Sequence, residues 1–216
     1  MRSEAKRIWI LLVLLISVAA IPWMIQQWPT WMEKLEKPVQ TEVATVLKPT
    51  KSLGQFVLNS TQGAPFSHQS FFGHWTVMFF GYAQCPKICP QALTMLSEVW
   101  RSFPAGAPHP AAQFAFVSLD PKSDTVDVLK PFMTQFHPDF IGLTGPEEEI
   151  VRLSQASGVY RWSDPNADGS QGGPKIIDHS ASILLIGPDG RLKALFSPPH
   201  DPLAIARDLK KLIDEV

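Results

Sequence analysis

From residue 53 to the C-terminus, apolar residues fall in short blocks that alternate between strand-like runs and stripes at helical spacing. Thr76-Val77-Met78-Phe79-Phe80 and Gln113-Phe114-Ala115-Phe116-Val117-Ser118-Leu119 are nearly continuous, the pattern of strands covered on both faces. Between them Leu93, Leu96, Val99 and Trp100 define a helix that ends before Pro104. Shorter strands are predicted at 55–58 and 140–144, with a turn at 59–63 leading to a second strand and a brief helical turn at 67–72. Ser123 or Asp124 can cap a helix running to about Phe136, striped by Val126, Leu129, Phe132 and Met133. Pro146 at the first helical position, followed by Glu147, Glu148 and Glu149, opens another helix to about Ala156. Residues 158–162 read as extended, and 163–175, rich in Gly, Pro, Asp and Asn, as an exposed loop. Strands at 182–186 and 192–196 flank Gly187-Pro188-Asp189-Gly190, a hairpin signal. Asp201 then caps a last helix whose apolar face is Leu203, Ile205, Ala206, Leu209 and Ile213. Such alternation, closing in a hairpin and a helix, predicts an α/β domain built on a mixed sheet.

The first 52 residues break this pattern. Arg2, Lys6 and Arg7 precede a charge-free run from Ile8 to Ile25, a length at the short end for a spanning helix. Ser17-Val18-Ala19 offers a signal-peptidase site, so a cleaved leader is the alternative. Trp9 near one end of the run and Trp23, Trp28 and Trp31 at the other favour anchoring at both interfaces, and Met24 and Ile25 carry the run past the cleavage site. The expectation is one retained transmembrane helix at 8–25, with 1–7 in the cytoplasm and the rest outside. No long Arg/Ser-rich transit segment precedes it, which favours a bacterial plasma membrane with the domain on the periplasmic side. Residues 26–52, mostly polar, with Pro38 and Pro49 and no period, read as a linker, leaving 53–216 as the domain.

Composition narrows function by exclusion. A chain that is 45% hydrophobic and 18% charged suits one globular domain behind an apolar segment. A net charge of −1 without any Lys/Arg cluster excludes a nucleic-acid surface. No internal repeat or low-complexity tract is present.

Chemistry concentrates where the central strand hands over to the first long helix. Both cysteines of the chain, Cys85 and Cys89, lie there, in Gly81-Tyr82-Ala83-Gln84-Cys85-Pro86-Lys87-Ile88-Cys89-Pro90. A thiol at a helix N-terminus feels unsatisfied N–H groups and the positive end of the dipole, which favours thiolate, the form that attacks disulfides and binds soft metals. Three readings follow. A structural staple gains little, because closing so short a loop stabilises by only about 2 kcal/mol. A redox dithiol and a metal site both use two sulfurs on one helical turn. Two thiolates are too few for a closed zinc site but suit Cu(I), with a third ligand from a His, Met or carboxylate elsewhere.

Gly81-Tyr82-x-x-Cys85-Pro86-x-x-Cys89-Pro90 after an aromatic strand resembles the Sco/SenC family of membrane-anchored copper proteins. Val117-Ser118-Leu119-Asp120-Pro121-x-x-Asp124-Thr125 and Asp178-His179-Ser180-Ala181 agree with it, in the family's order. The resemblance implies a thioredoxin-like fold, an α/β mixed sheet flanked by helices, here preceded by the N-terminal transmembrane helix. It implies one copper per chain, Cu(I) or Cu(II), bound by Cys85, Cys89 and His179. It also implies a partner, the copper-accepting subunit of cytochrome c oxidase, whose binuclear copper site is filled during assembly, together with an upstream copper donor or thiol reductant.

Taken alone, a histidine beside an apolar strand is more often structural; the family block makes His179 a ligand candidate. The remaining histidines, His68, His74, His109, His137 and His200, are dispersed near turns or prolines and read as solvated surface. Asp120 and Asp124 stay outside the metal shell. Copper delivery and thiol–disulfide exchange by Cys85 and Cys89 as a redox-active pair both remain open, although the Cys-x-x-x-Cys spacing, the lack of proline at 180–182 and the presence of His179 lean toward copper. The family commonly has an acid where this chain has Lys87, whose charge is expected to stabilise the thiolates and to make the pair more oxidising.

Overall fold

The computed structural model describes residues 39–103, 112–159, 161–163, 177–179 and 181–215, with 161–163 and 177–179 described by backbone alone. The apolar run read as the central strand is β4 (Trp75–Gly81), buried at every position. It pairs in parallel with β5 (Ala112–Ser118), which pairs in parallel with β6 (Ile141–Thr144). On its other side lies β9 (Ile183–Ile186), antiparallel, followed by β10 (Arg191–Phe196). Adding β1 (Ala44–Ser52), β2 (Val57–Ser60) and β3 (Phe66–Ser67), the main sheet among the described residues runs β1-β10-β9-β4-β5-β6-β2-β3. A separate ribbon pairs β7 (Arg161–Ser163) with β8 (Ile177–His179). The apolar run at 8–25 lies outside the described residues, among which no helix is long and apolar enough to cross a membrane.

Register decides where chemistry can gather. Gly81 pairs with Ser118, so β4 and β5 end at the same rim of the sheet. β9 enters at that rim, with Ile183 opposite Phe79, and β10 leaves there, with Phe196 opposite Ile183.

Four helices flank the sheet among the described residues. α1 (Ile88–Ser102) buries Cys89, Ala92, Leu93, Leu96, Ser97 and Val99 and packs against α4 (Pro202–Glu215). α2 (Val126–Thr134) is capped by Thr125, whose hydroxyl accepts from the Val128 N–H, and not by Ser123 or Asp124 as the sequence suggested. The Asp124 carboxylate is turned inward instead. α3 (Glu147–Ser157) has Pro146 at its cap, one position earlier than read from the sequence, and stops at Gly158 in the left-handed region (φ 76°). α4 carries the expected cap, since Asp201 Oδ1 accepts from the N–H groups of Leu203 (2.8 Å) and Ala204 (3.3 Å).

Two expectations are corrected here. Residues 44–52, read as the end of a linker, form β1, an edge strand on β10 whose register shifts between Val46 and Lys51. The strand expected at 55–58 lies at 57–60, with Ser60 paired to Leu143, and the turn follows it. Of residues 163–175, read as an exposed loop, Ser163 ends β7 and the rest lie outside the described residues.

Candidate metal centre

β4 delivers the chain to the rim at Gly81, and seven residues later α1 begins. In that interval the Cys85 N–H donates to the Tyr82 carbonyl (3.2 Å). Cys85 therefore sits just ahead of the helix and Cys89 in its first turn, where N–H groups lack intrahelical partners. One of them finds a partner in sulfur, because the Cys89 N–H donates to Cys85 Sγ at 3.4 Å. Neither cysteine is in a disulfide; Cys85 is 7% exposed and Cys89 0%.

This placement makes the two sulfurs unequal. Burial pushes the Cys85 thiol up, but the N–H groups of Cys89, Lys87 and Ile88, with the Cys89 thiol, outweigh it and hold Cys85 below its ordinary value. Burial pushes the Cys89 thiol well above its ordinary value; an opposing backbone interaction at Tyr82 is overcome, and the negative charges of Cys85 and Asp124 add to the rise. Cys85 is the thiolate-prone partner, while Cys89 holds its proton until something displaces it.

Lys87 is exposed at the cap position of α1, and what it brings to Cys85 is its backbone N–H. The largest contributions to that sulfur are burial and N–H groups of the loop.

Two further residues shape the loop, and sequence reasoning had assigned neither a role there. A Cβ at Gly81 would stand 2.7 Å from Cys89 Sγ and 2.8 Å from Phe116 Cε2, so only glycine lets the sulfur lie against the strand end. Asp124, buried, accepts through Oδ2 from the Ala83 N–H (2.9 Å) and the Ser118 hydroxyl (2.6 Å). Ser118 Oγ in turn accepts from the Asp120 N–H (3.0 Å). A buried carboxylate thus ties the cysteine loop to the end of β5. The one sequence clue was the recurrence of Ser118, Asp120 and Asp124 in a single motif block.

His179 is the last residue of β8, opposite Arg161 in the ribbon. Only its backbone is described. From it the chain enters β9 at Ile183, opposite Phe79, so residue 179 lies within about 14 Å of Ile183. Among residues whose side chains are described, no cluster of three or more His, Cys, Asp or Glu is placed to hold a metal ion.

Of the other histidines read as solvated, His74 is exposed and His109 lies outside the described residues. His68, His137 and His200 are half-buried instead: the His68 ring meets Phe71 and Phe72 edge-on, and His137 packs on Trp100 and Phe140. The donors at the rim are thus two buried sulfurs held side by side by a helix N-terminus, a set that fits a soft ion accepting few ligands, such as Cu(I).

Comparison with known proteins agrees with that chemistry. The family model described as SCO1/SenC matches residues 44–214. The mitochondrial SCO2 homolog of Bos taurus is 34% identical over 163 residues, 76% of this chain but 58% of the cattle protein, so the chain spans under two thirds of that relative. The copper-bound structure of ScoI from Bradyrhizobium japonicum superposes with a TM-score of 0.64 at 34% identity, covering 73% of this chain and 97% of that one. Copper-bound yeast Sco1 gives 0.69 at 26% identity, covering 77% and 90%.

Proposed function

The chain belongs to the SCO1/SenC family, and from that membership we propose a membrane-anchored copper-binding protein. It takes one copper ion, Cu(I) or Cu(II), on Cys85, Cys89 and His179. It passes the ion to the copper-accepting subunit of cytochrome c oxidase, at its binuclear copper site, during assembly. Residues 8–25 hold it in a bacterial plasma membrane with the domain on the periplasmic side. The observation that carries the reading is the hydrogen bond from the Cys89 N–H to Cys85 Sγ, which sets two soft donors side by side before any ion arrives. The copper-bound relatives of similar fold support it.

In this reading the Cys85 thiolate meets the incoming ion, and Cys89 then gives up its proton as the second sulfur binds. The ground beside and between them, Gln84, Pro86, Lys87 and Ile88, is exposed, so an acceptor can bring its own ligands to the ion and take it by exchange. Burial of both sulfurs keeps water from the bound ion.

The test is copper titration of the reduced full chain. Wild type is expected to bind one copper per chain. His179→Ala weakens Cu(II) more than Cu(I), because imidazole matters more to the harder ion while two thiolates still hold the softer one. Cys85→Ser and Cys89→Ser weaken both. Unaltered Cu(II) binding in His179→Ala removes that residue from the shell.

The inequality of the two thiols favours a second reading, a thiol–disulfide oxidoreductase that keeps the acceptor's copper-ligating cysteines reduced. The Cys85 thiolate attacks the partner's disulfide, Cys89 resolves the mixed disulfide, and an upstream thiol reductant restores the pair. Absence of copper binding by the reduced wild type decides for it.

A further inference from the structure

A second segment reaches the cysteine rim. β10 ends at Phe196, opposite Ile183, and the chain runs through Ser197, Pro198 and Pro199 to His200, immediately before the α4 cap. There His200 Nε2 lies 2.7 Å from the carbonyl oxygen of Ala181. A carbonyl can only accept, so Nε2 carries the proton. Nδ1 is buried and has no hydrogen-bond partner among the described residues, which leaves the Ala181 bond as the ring's polar attachment there.

Ala181 stands two residues after His179 and two before Ile183, where ladder pairing to β4 and β10 begins. It is the joint between the β7–β8 ribbon and the main sheet. The His200 bond fastens that joint to the start of α4, a helix fixed in the core through Ala204, Ile205, Leu209 and Leu212.

We propose that His200 is a positioning residue for copper: its Nε2–H bond to Ala181 holds the β8–β9 joint and so fixes where His179 stands relative to Cys85 and Cys89. This rests on the reading of His179 as a ligand. Two thiolates hold Cu(I) without the imidazole, whereas Cu(II) depends on it. Loss of the His200 bond therefore falls on Cu(II) alone.

Competition titrations of the reduced full chain with Cu(I), and with Cu(II) followed by thiolate-to-copper charge-transfer absorbance, test this on His200→Ala, His200→Gln, His179→Ala and the double variant. In His200→Ala, Cu(II) affinity is expected to fall about tenfold, the lower end for residues that orient a metal ligand. The charge-transfer band shifts and Cu(I) affinity holds. His200→Gln, which offers an amide N–H near the lost Nε2–H, restores both Cu(II) readouts. The double variant binds Cu(II) no worse than His179→Ala, because His200 acts through that residue. Parental Cu(II) binding in His200→Ala while His179→Ala is weakened overturns the positioning role alone, as does an equal loss of Cu(I) and Cu(II). Parental Cu(II) binding in His179→Ala overturns the ligand reading and the positioning role with it. Should His200→Ala not fold, His200→Asn, whose shorter amide falls short of Ala181, takes its place against His200→Gln.

Discussion

At the scale of single residues, the tightest demand in the molecule is made on Gly81. Its missing Cβ is where Cys89 Sγ and the Phe116 ring meet the end of β4, at 2.7 and 2.8 Å. Neither neighbour is a free-swinging side chain, because Cys89 is in the first turn of α1 and Phe116 is 1% exposed in β5. Gly81→Ala must push one of them aside, and overpacking of this kind costs about 1–3 kcal/mol. The expected outcome is a lower urea midpoint together with weaker Cu(I) binding, since the displaced atom is a proposed ligand; an unchanged midpoint would show that the loop yields freely. The sequence made Cys85 and Cys89 legible because two cysteines after a strand, at the head of a helix, leave few alternatives. It could not rank the two sulfurs, which depends on three N–H groups aimed at one of them and on the deep burial of the other. Nor could it tell what Lys87 brings to Cys85, because the identity of a side chain says nothing about whether its charge or its backbone faces the sulfur.

At the scale of elements, α4 shows where periodicity reads correctly and where it stops. Ile205 and Leu209 are buried as the stripe predicted, but Leu203 is 65% exposed and the buried face instead includes Ala204, Leu212 and Asp208. Hydrophobicity placed Leu203 inside because the apolar stripe tolerates it there, and it gave no sign of Asp208, since a lone carboxylate is almost never buried without partners. The partners come from residues 164–166 positions earlier: the N–H groups of Glu42, Val43 and Ala44 donate to the Asp208 carboxylate at 2.9, 2.8 and 2.9 Å. Leu203→Gln is therefore expected to move stability by no more than about 0.5 kcal/mol. Asp208→Asn, of equal size but with an amide N–H turned against backbone donors, is expected to cost about 1–3 kcal/mol. Chemical denaturation of the two variants checks the contrast, and equal costs would return Leu203 to the core. β1 escaped sequence reading for a matching reason. It is an edge strand with Lys48, Pro49 and Lys51 and an interrupted register, the devices that keep sheet edges from pairing with other chains, and they erase the alternation that marks a strand.

At the scale of the whole molecule, the boundary of the domain depends on that unreadable strand. The compact unit containing the rim begins at Val39, whereas the hydrophobic pattern places its start at residue 53. The difference holds β1 and a strap across α4. Besides the three N–H bonds to Asp208, Arg207 pairs with Glu42 through two bonds of 2.9 and 2.7 Å, and Lys211 Nζ donates to the Gln40 carbonyl at 2.7 Å. The Arg207–Glu42 pair is exposed and adds little in water. The Asp208 contacts decide the matter, because cutting the chain at 53 leaves a buried carboxylate without its donors, a loss of about 3–5 kcal/mol when a buried charge is stripped of its partner. The same cut removes β1 from β10, whose rim end leads through residues 197–199 to His200. Against a typical domain stability of about 5–15 kcal/mol, that is enough to populate unfolded chain at moderate temperature. A fragment of residues 39–216 is therefore expected to melt cooperatively and to bind one Cu(I), while a fragment of 53–216 melts about 6–20 °C lower, taking about 2–4 °C per kcal/mol for a domain of this size. Thermal melts followed by circular dichroism, with Cu(I) competition on both fragments, make the measurement. Matching midpoints would mean that Asp208 finds other donors once the strap is gone, and that the domain does begin where the hydrophobic pattern puts it.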